Sequence, residues 1–170
     1  HLDSWDLATG ATDNGLGSFA IVDMARTFKK LNLKTGRTIE FVLFMGEEQG
    51  LLGSRAYVAD AIKRKTLDQV KYVFNFDMSA NAIGFTAGGR KEAEAFFKAT
   101  GEAIKAVDTA FTNKTSAGAA GLHSDHQPFM LEGIPTATSV TNIPSEVFRC
   151  YHADCDDISL INRSWMVDQV

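Results

Sequence analysis

Glu47 and Glu48 stand side by side at the end of an apolar run, Phe41-Val-Leu-Phe-Met-Gly-Glu-Glu-Gln-Gly50. Adjacent carboxylates repel, so such a pair at a strand end is costly unless a cation or a shared proton offsets the repulsion. Four other segments also place metal-binding groups at strand ends or in loops: His1 with Asp3, then Asp13, Asp77 and His152. Imidazoles and carboxylates together suit zinc and related divalent ions. Each residue also has a plain structural reading. Asp13 fits an Asx-turn or a helix N-cap, Asp77 a cap after its strand, and His152 an ordinary loop histidine. Any one alone is more often structural than catalytic. Five such segments together favour a metal centre.

These residues need elements to position them. His1 to Asp6 reads as the tail of a strand entering a loop, and Thr9 to Gly17 as a turn rich in Gly, Asn and Asp. A helix is expected from about Leu16 to Leu31, burying Phe19, Val22, Phe28 and Leu31 with Ala20, Ile21 and Ala25. A buried strand, Thr38 to Met45, delivers the acidic pair, and a helix follows from Leu51 to about Lys65. Further strands are expected at Lys71 to Asp77, Ile83 to Thr86, Thr109 to Thr115 and Thr136 to Val140. Helices are expected at Lys91 to Val107 and Asp125 to Leu131, and from Leu160 onward with Ser159 as N-cap. Asn142 to Asp157 reads as a long irregular loop. Alternating strands and helices predict an α/β fold, a largely parallel sheet between helical layers.

The bulk numbers agree with one domain spanning residues 1–170. Hydrophobic residues make up 45% and charged residues 22%, as in ordinary globular proteins. A net charge of -4 argues against nucleic acid and offers no basic patch to a membrane surface. No apolar run reaches bilayer length, and no stretch reads as a signal peptide. The two cysteines, Cys150 and Cys155, could close a small disulfide loop or stand as free thiols beside a metal. They exclude a four-ligand Cys-type zinc site.

Taken together, His1-Leu2-Asp3, Asp13-Asn14-Gly15, Gly46-Glu47-Glu48-Gln49-Gly50 with Gly53-Ser54, Asn75-Phe76-Asp77, Ser124-Asp125-His126 with Pro128-Phe129, and Tyr151-His152 resemble the co-catalytic di-zinc aminopeptidases of peptidase clan MH. That group includes bacterial secreted aminopeptidases and plasma glutamate carboxypeptidase (carboxypeptidase Q), and the opening His-Leu-Asp-Ser-Trp-Asp is most similar to the latter branch. The resemblance implies a three-layer zinc-peptidase fold, two zinc ions and a peptide or dipeptide substrate. It implies that His1 and Asp77 hold one ion, Glu48 and His152 the other, and that Asp13 bridges them. Asp3 would orient His1 through the free ring nitrogen, and Glu47 would be the general base. Tyr151 would add a hydroxyl donor to the oxyanion, as in some relatives, or serve as a packing aromatic. A cis-like peptide is implied beside the bridging Asp, with Asn14-Gly15 as its place. Strands before His1 would be missing, so the chain is expected to be an N-terminally truncated piece. A secreted or periplasmic location is implied by resemblance alone.

The chemistry is coherent on its own terms. Two close ions share a water and lower its pKa. A carboxylate facing that water but binding neither ion can take its proton. Neighbouring residues of an extended segment point opposite ways, which lets Glu48 reach metal while Glu47 reaches water. Two rivals stand beside this reading. A glutaminyl cyclase-like transferase would need only one zinc, on Asp13, Glu48 and His152. A non-catalytic peptidase-like module would bind none. His123 reads as a loop residue, and His126 as structural or substrate-facing.

Overall fold

The computed structural model describes residues 1–164. Its core is a three-stranded mixed sheet in the order β1-β3-β2, from Val73–Asn75 (β1), Ala82–Thr86 (β2) and Thr136–Thr141 (β3). β1 runs parallel to β3, with Val73 opposite Thr136 and Asn75 opposite Thr138. β2 runs antiparallel to β3, with an irregularity between Ala82 and Gly84. Successive strand residues face opposite sides, and β1 shows this directly. Val73 packs with Val58, Phe129 and Ile134, beneath the helices Leu52–Arg64 (α2) and Gln127–Leu131 (α4). Phe74 packs with Phe85, Ala87, Ala137 and Phe97, the last from helix Lys91–Lys105 (α3). The sheet therefore lies between two helical layers, the expected α/β arrangement. Helix α3 runs unbroken through Gly101, where the Asn113 side chain sits in the space a Cβ would need.

Two expectations are corrected. The segment 38–45 forms no strand. A ladder needs a partner offering its backbone groups. Leu2 N–H, donating to Phe44 C=O at 2.8 Å, is the one hydrogen bond to it from the His1 segment. Phe44 joins the Phe129 cluster, while Met45 is 55% exposed. The first helix, Leu16–Lys30 (α1), also presents an unexpected face. Phe19 is 66% exposed and Leu31 61%, with Val22 also exposed, whereas Leu16, Gly17, Ser18 and Ala20 are buried. Periodicity reports a stripe that can be buried. It does not report whether another element arrives to cover it. Among the described residues none covers Phe19, and the packed part is the first turn. There Gly17 lies so close to the Phe76 carbonyl and the Asn14 side chain that any Cβ would collide.

Smaller differences follow the same logic. Thr109 to Thr115 forms no strand; instead Lys114 and Ser116 donate backbone N–H to Ile83 and Phe85, edging β2 through a single parallel bridge, Thr86 to Ser116. The irregular loop after β3 contains a short helix, Ser145–Phe148 (α5), and a Cys150–Cys155 disulfide, which settles the two readings left open for these thiols. Ser159 caps no helix. Asp157 accepts its N–H at 2.7 Å and starts the turn Ile158–Leu160, and Asn162 accepts the Ser164 N–H where the next helical residues begin. The rest of the expected final helix lies outside the described residues. Among those residues no helix is long and apolar enough to cross a membrane.

Candidate metal centre

Five chain segments converge beyond the end of β1, carrying His1 with Asp3, Asp13, the acidic pair, Asp77 and His152. The turn Ala11–Gly15, which feeds α1, is fixed by Asp156: one carboxylate oxygen accepts Thr12 N–H at 2.8 Å and the other Asp13 N–H at 2.9 Å. The Asp13–Asn14 peptide is cis, one bond before the position expected. Asn14 is buried and straps this turn to β1's exit, donating to Phe76 C=O at 2.9 Å and accepting Met78 N–H at 3.2 Å. Asp77 lies between those two anchor points. Ser124 Oγ donates to Asp77 Oδ2 and itself accepts from Asn75 Nδ2 at 2.8 Å. One Asp77 oxygen is thus occupied, and the other faces the centre.

The acidic pair is positioned from a third direction. Asp3 Oδ1 accepts Glu47 N–H at 3.2 Å and Oδ2 accepts Glu48 N–H at 3.1 Å. His1 Nδ1 lies 3.0 Å from the Asp3 main-chain carbonyl and 3.6 Å from its carboxylate. Asp3 therefore orients His1 with its backbone and both glutamates with its side chain. Sequence reasoning assigned it only the first task.

The predicted metal ligands meet at Asp13. His1 Nε2 is 3.2 Å from Asp13 Oδ1 and 3.5 Å from Asp77 Oδ1. His152 Nε2 is 3.3 Å from Asp13 Oδ2 and 3.0 Å from Glu48 Oε2. Asp13 thus presents one oxygen to each of two imidazole–carboxylate pairs. Ligand atoms of His1, Asp13 and Glu48 lie within 4.8 Å of one another. Glu48 Oε1 and Asp77 Oδ1 are buried with no hydrogen-bond partner among the described residues. Buried carboxylate oxygens without donors are costly, and a divalent cation is the partner this donor set fits. His152 is flanked by aromatic rings, Tyr151 stacked at 3.7 Å and Trp5 at 4.6 Å between centroids. His126 lies apart: its Nε2 is 2.9 Å from Gly121 C=O and its Nδ1 3.3 Å from Asn75 Nδ2, and burial holds its pKa down.

The electrostatics describe a centre of excess negative charge. Burial pushes the His1 imidazole down, but the carboxylates of Asp13 and Asp77 facing it outweigh this and lift its pKa to about 11. Burial raises Glu47 to about 8, with Asp77, Asp125 and Glu48 adding to the shift and His1 opposing it. Burial, with Asp13, also raises Glu48. Tyr151 is raised to about 12 by burial and the surrounding acids, so its hydroxyl keeps its proton. Both His1 and Glu47 then bind more protons folded than unfolded. Stability of the metal-free protein should fall as pH rises from about 5 through 8 for Glu47, and further toward 11 for His1. A metal ion bound by His1 would have to displace the imidazole proton. Calorimetric titration with zinc at pH 7 in buffers of differing ionisation enthalpy should show net proton release as the site fills; a slope of zero would contradict this charge assignment.

The family model for Peptidase family M28 matches residues 1–168. The chain belongs to peptidase family M28. It is 29% identical over 167 residues to carboxypeptidase Q of Xenopus laevis, covering 98% of this chain and 34% of that protein. It is 31% identical over 172 residues to aminopeptidase YwaD of Bacillus subtilis (strain 168), covering 96% and 36%. A zinc aminopeptidase structure from Bacillus subtilis superposes with a TM-score of 0.77 at 30% identity, covering 99% of this chain and 42% of that one. The chain thus spans little more than a third of the length of these curated relatives. The α/β fold and the M28 family match the sequence-based expectation.

Four supporting roles were not assigned from sequence. Asn14, Asn75 and Ser124 lie inside the quoted motifs, and Asp156 lies four residues after His152, so their signal was position in a motif. What each side chain bonds emerges only from the fold.

Proposed function

We propose that this chain carries the centre of a zinc-dependent exopeptidase that hydrolyses the N-terminal peptide bond of peptides or dipeptides. One observation carries the reading: Asp13 divides its two oxygens between the His1–Asp77 pair and the His152–Glu48 pair. That arrangement supports a two-ion centre with Asp13 as the shared ligand. Zinc bound there would polarise the scissile carbonyl and acidify the attacking water.

The chain's own residues do the rest. Glu47 takes the proton from the attacking water and passes it to the leaving amine. Its place beside Glu48 is set by the two backbone hydrogen bonds to Asp3. Tyr151, protonated up to about 12, donates its hydroxyl to the oxyanion that develops from the carbonyl. A secreted or periplasmic location accords with this reading, because disulfides such as Cys150–Cys155 persist in oxidising compartments.

Metal analysis of the full-length protein, with a panel of aminoacyl and dipeptide substrates, tests the proposal. The expected result is two zinc ions per chain and release of the N-terminal residue. One tightly bound zinc with cyclisation of N-terminal glutamine would replace it with the transferase reading. Failure to bind any divalent ion would leave a non-catalytic module.

A further inference from the structure

The Cys150–Cys155 disulfide closes a ring around Tyr151, His152, Ala153 and Asp154. One end of that ring is anchored in the core. Cys150 is buried and donates its N–H to Val147 C=O at 2.9 Å, and Val147 packs with Leu16 at the start of α1. Inside the ring Ala153 N–H returns to Cys150 C=O at 3.0 Å, and just beyond it Asp156 N–H donates to Ala153 C=O at 3.1 Å. His152 sits at φ 56, in the left-handed region that non-glycine residues hold only when their surroundings impose it. Directly after the ring, Asp156 grips the backbone of Thr12 and Asp13. The ring therefore sets the imidazole that faces Asp13 Oδ2, whereas Asp156, outside it, is held by its own hydrogen bonds from Thr9, Thr12 and Asp13.

The other half of the centre has separate supports. His1 and Asp77 are held by Asp3, Ser124, Asn75 and Asn14, none of which belongs to the ring. From this asymmetry we infer that the Cys150–Cys155 disulfide is a positioning device for the His152–Glu48 half alone, so that its reduction releases one metal ion and leaves the other in place. The step is a thiol–disulfide exchange. A dithiol reductant gives two electrons and two protons, the Cys150–Cys155 S–S bond breaks, two cysteine thiols form, and the reductant leaves as its own disulfide. The inference rests on the two-ion reading proposed above.

The test compares full-length wild type with Cys150→Ser/Cys155→Ser, His152→Ala and the three substitutions combined, each titrated with zinc against a colorimetric chelator. Supporting residues of metal ligands typically carry 10–100-fold in affinity. The double variant should weaken the second ion by about that factor while the first ion changes less than about twofold, and adding His152→Ala should cause no further loss beyond His152→Ala itself. Retention of the first ion reports that the variant is folded. Wild type reduced by a phosphine should show the same loss of one ion. Equal affinities in wild type and double variant overturn the inference and leave the proposed function intact. Loss of both ions together also overturns it, since the disulfide would then support the whole fold. A wild-type chain that holds fewer than two ions overturns the two-ion reading and this inference with it.

Discussion

Replacing Glu47 by alanine should lower turnover by roughly 10²–10⁴-fold while zinc content stays near that of the wild type. General acid–base catalysis contributes a factor of this order when one positioned side chain both takes and returns the proton. Zinc content should hold because Asp3 grips the Glu47 and Glu48 backbone N–H groups, at 3.2 and 3.1 Å, and not the Glu47 side chain. The Glu48 carboxylate, 3.0 Å from His152 Nε2, keeps its place in the mutant. Glu47→Gln is the sharper control, because it preserves size and removes only basicity. Steady-state kinetics with metal analysis on the same preparations separate the cases. Substantial activity in either variant at full zinc content would sink the role, and loss of zinc would make Glu47 a ligand instead.

A second large effect should appear at Asp156, whose carboxylate supports the Asp13 turn without facing the centre itself. Its carboxylate is buried and accepts two backbone N–H groups at 2.8 and 2.9 Å. Asp156→Ala leaves both donors buried without an acceptor. Hydrogen bonds to a charged group are worth about 1.5–3 kcal/mol each, so a loss of about 3–6 kcal/mol is expected in denaturant unfolding of the metal-free protein. Asp156→Asn retains one acceptor oxygen and should cost about half as much. Zinc affinity should fall with both variants, because the Asp13 turn loses its anchor. An alanine variant as stable as wild type would show that the turn is held by other contacts.

How much of this was readable before the fold was seen differs by feature. Helices α1, α2 and α3 lie within one to two residues of their expected ends, because helix periodicity and propensity are local. The strand at residues 38–45 fails for the opposite reason: strand formation needs a neighbour that local sequence cannot supply. The Phe19 face fails likewise, since burial depends on what packs against it. Asp3 divides in the same way. Its nearness to His1 follows from two residues of separation, whereas its grip on Glu47 and Glu48 spans 44 and 45 residues.

Donor types and their order along the chain, the α/β pattern, and the family resemblance that the Peptidase family M28 match bears out were all legible in the residues alone. Residue identity and short-range spacing suffice for these. The tertiary structure decided which donors face one another: that Asp13 turns one oxygen toward His1 and the other toward His152, residues 151 positions apart. It also decided which side chains hold them there, Asp156, Asn14 and Ser124, and that Cys150 and Cys155 bond to each other. These are long-range juxtapositions. They depend on how the turn before α1, the exit of β1 and the loop after α5 pack together, and no local pattern encodes that packing.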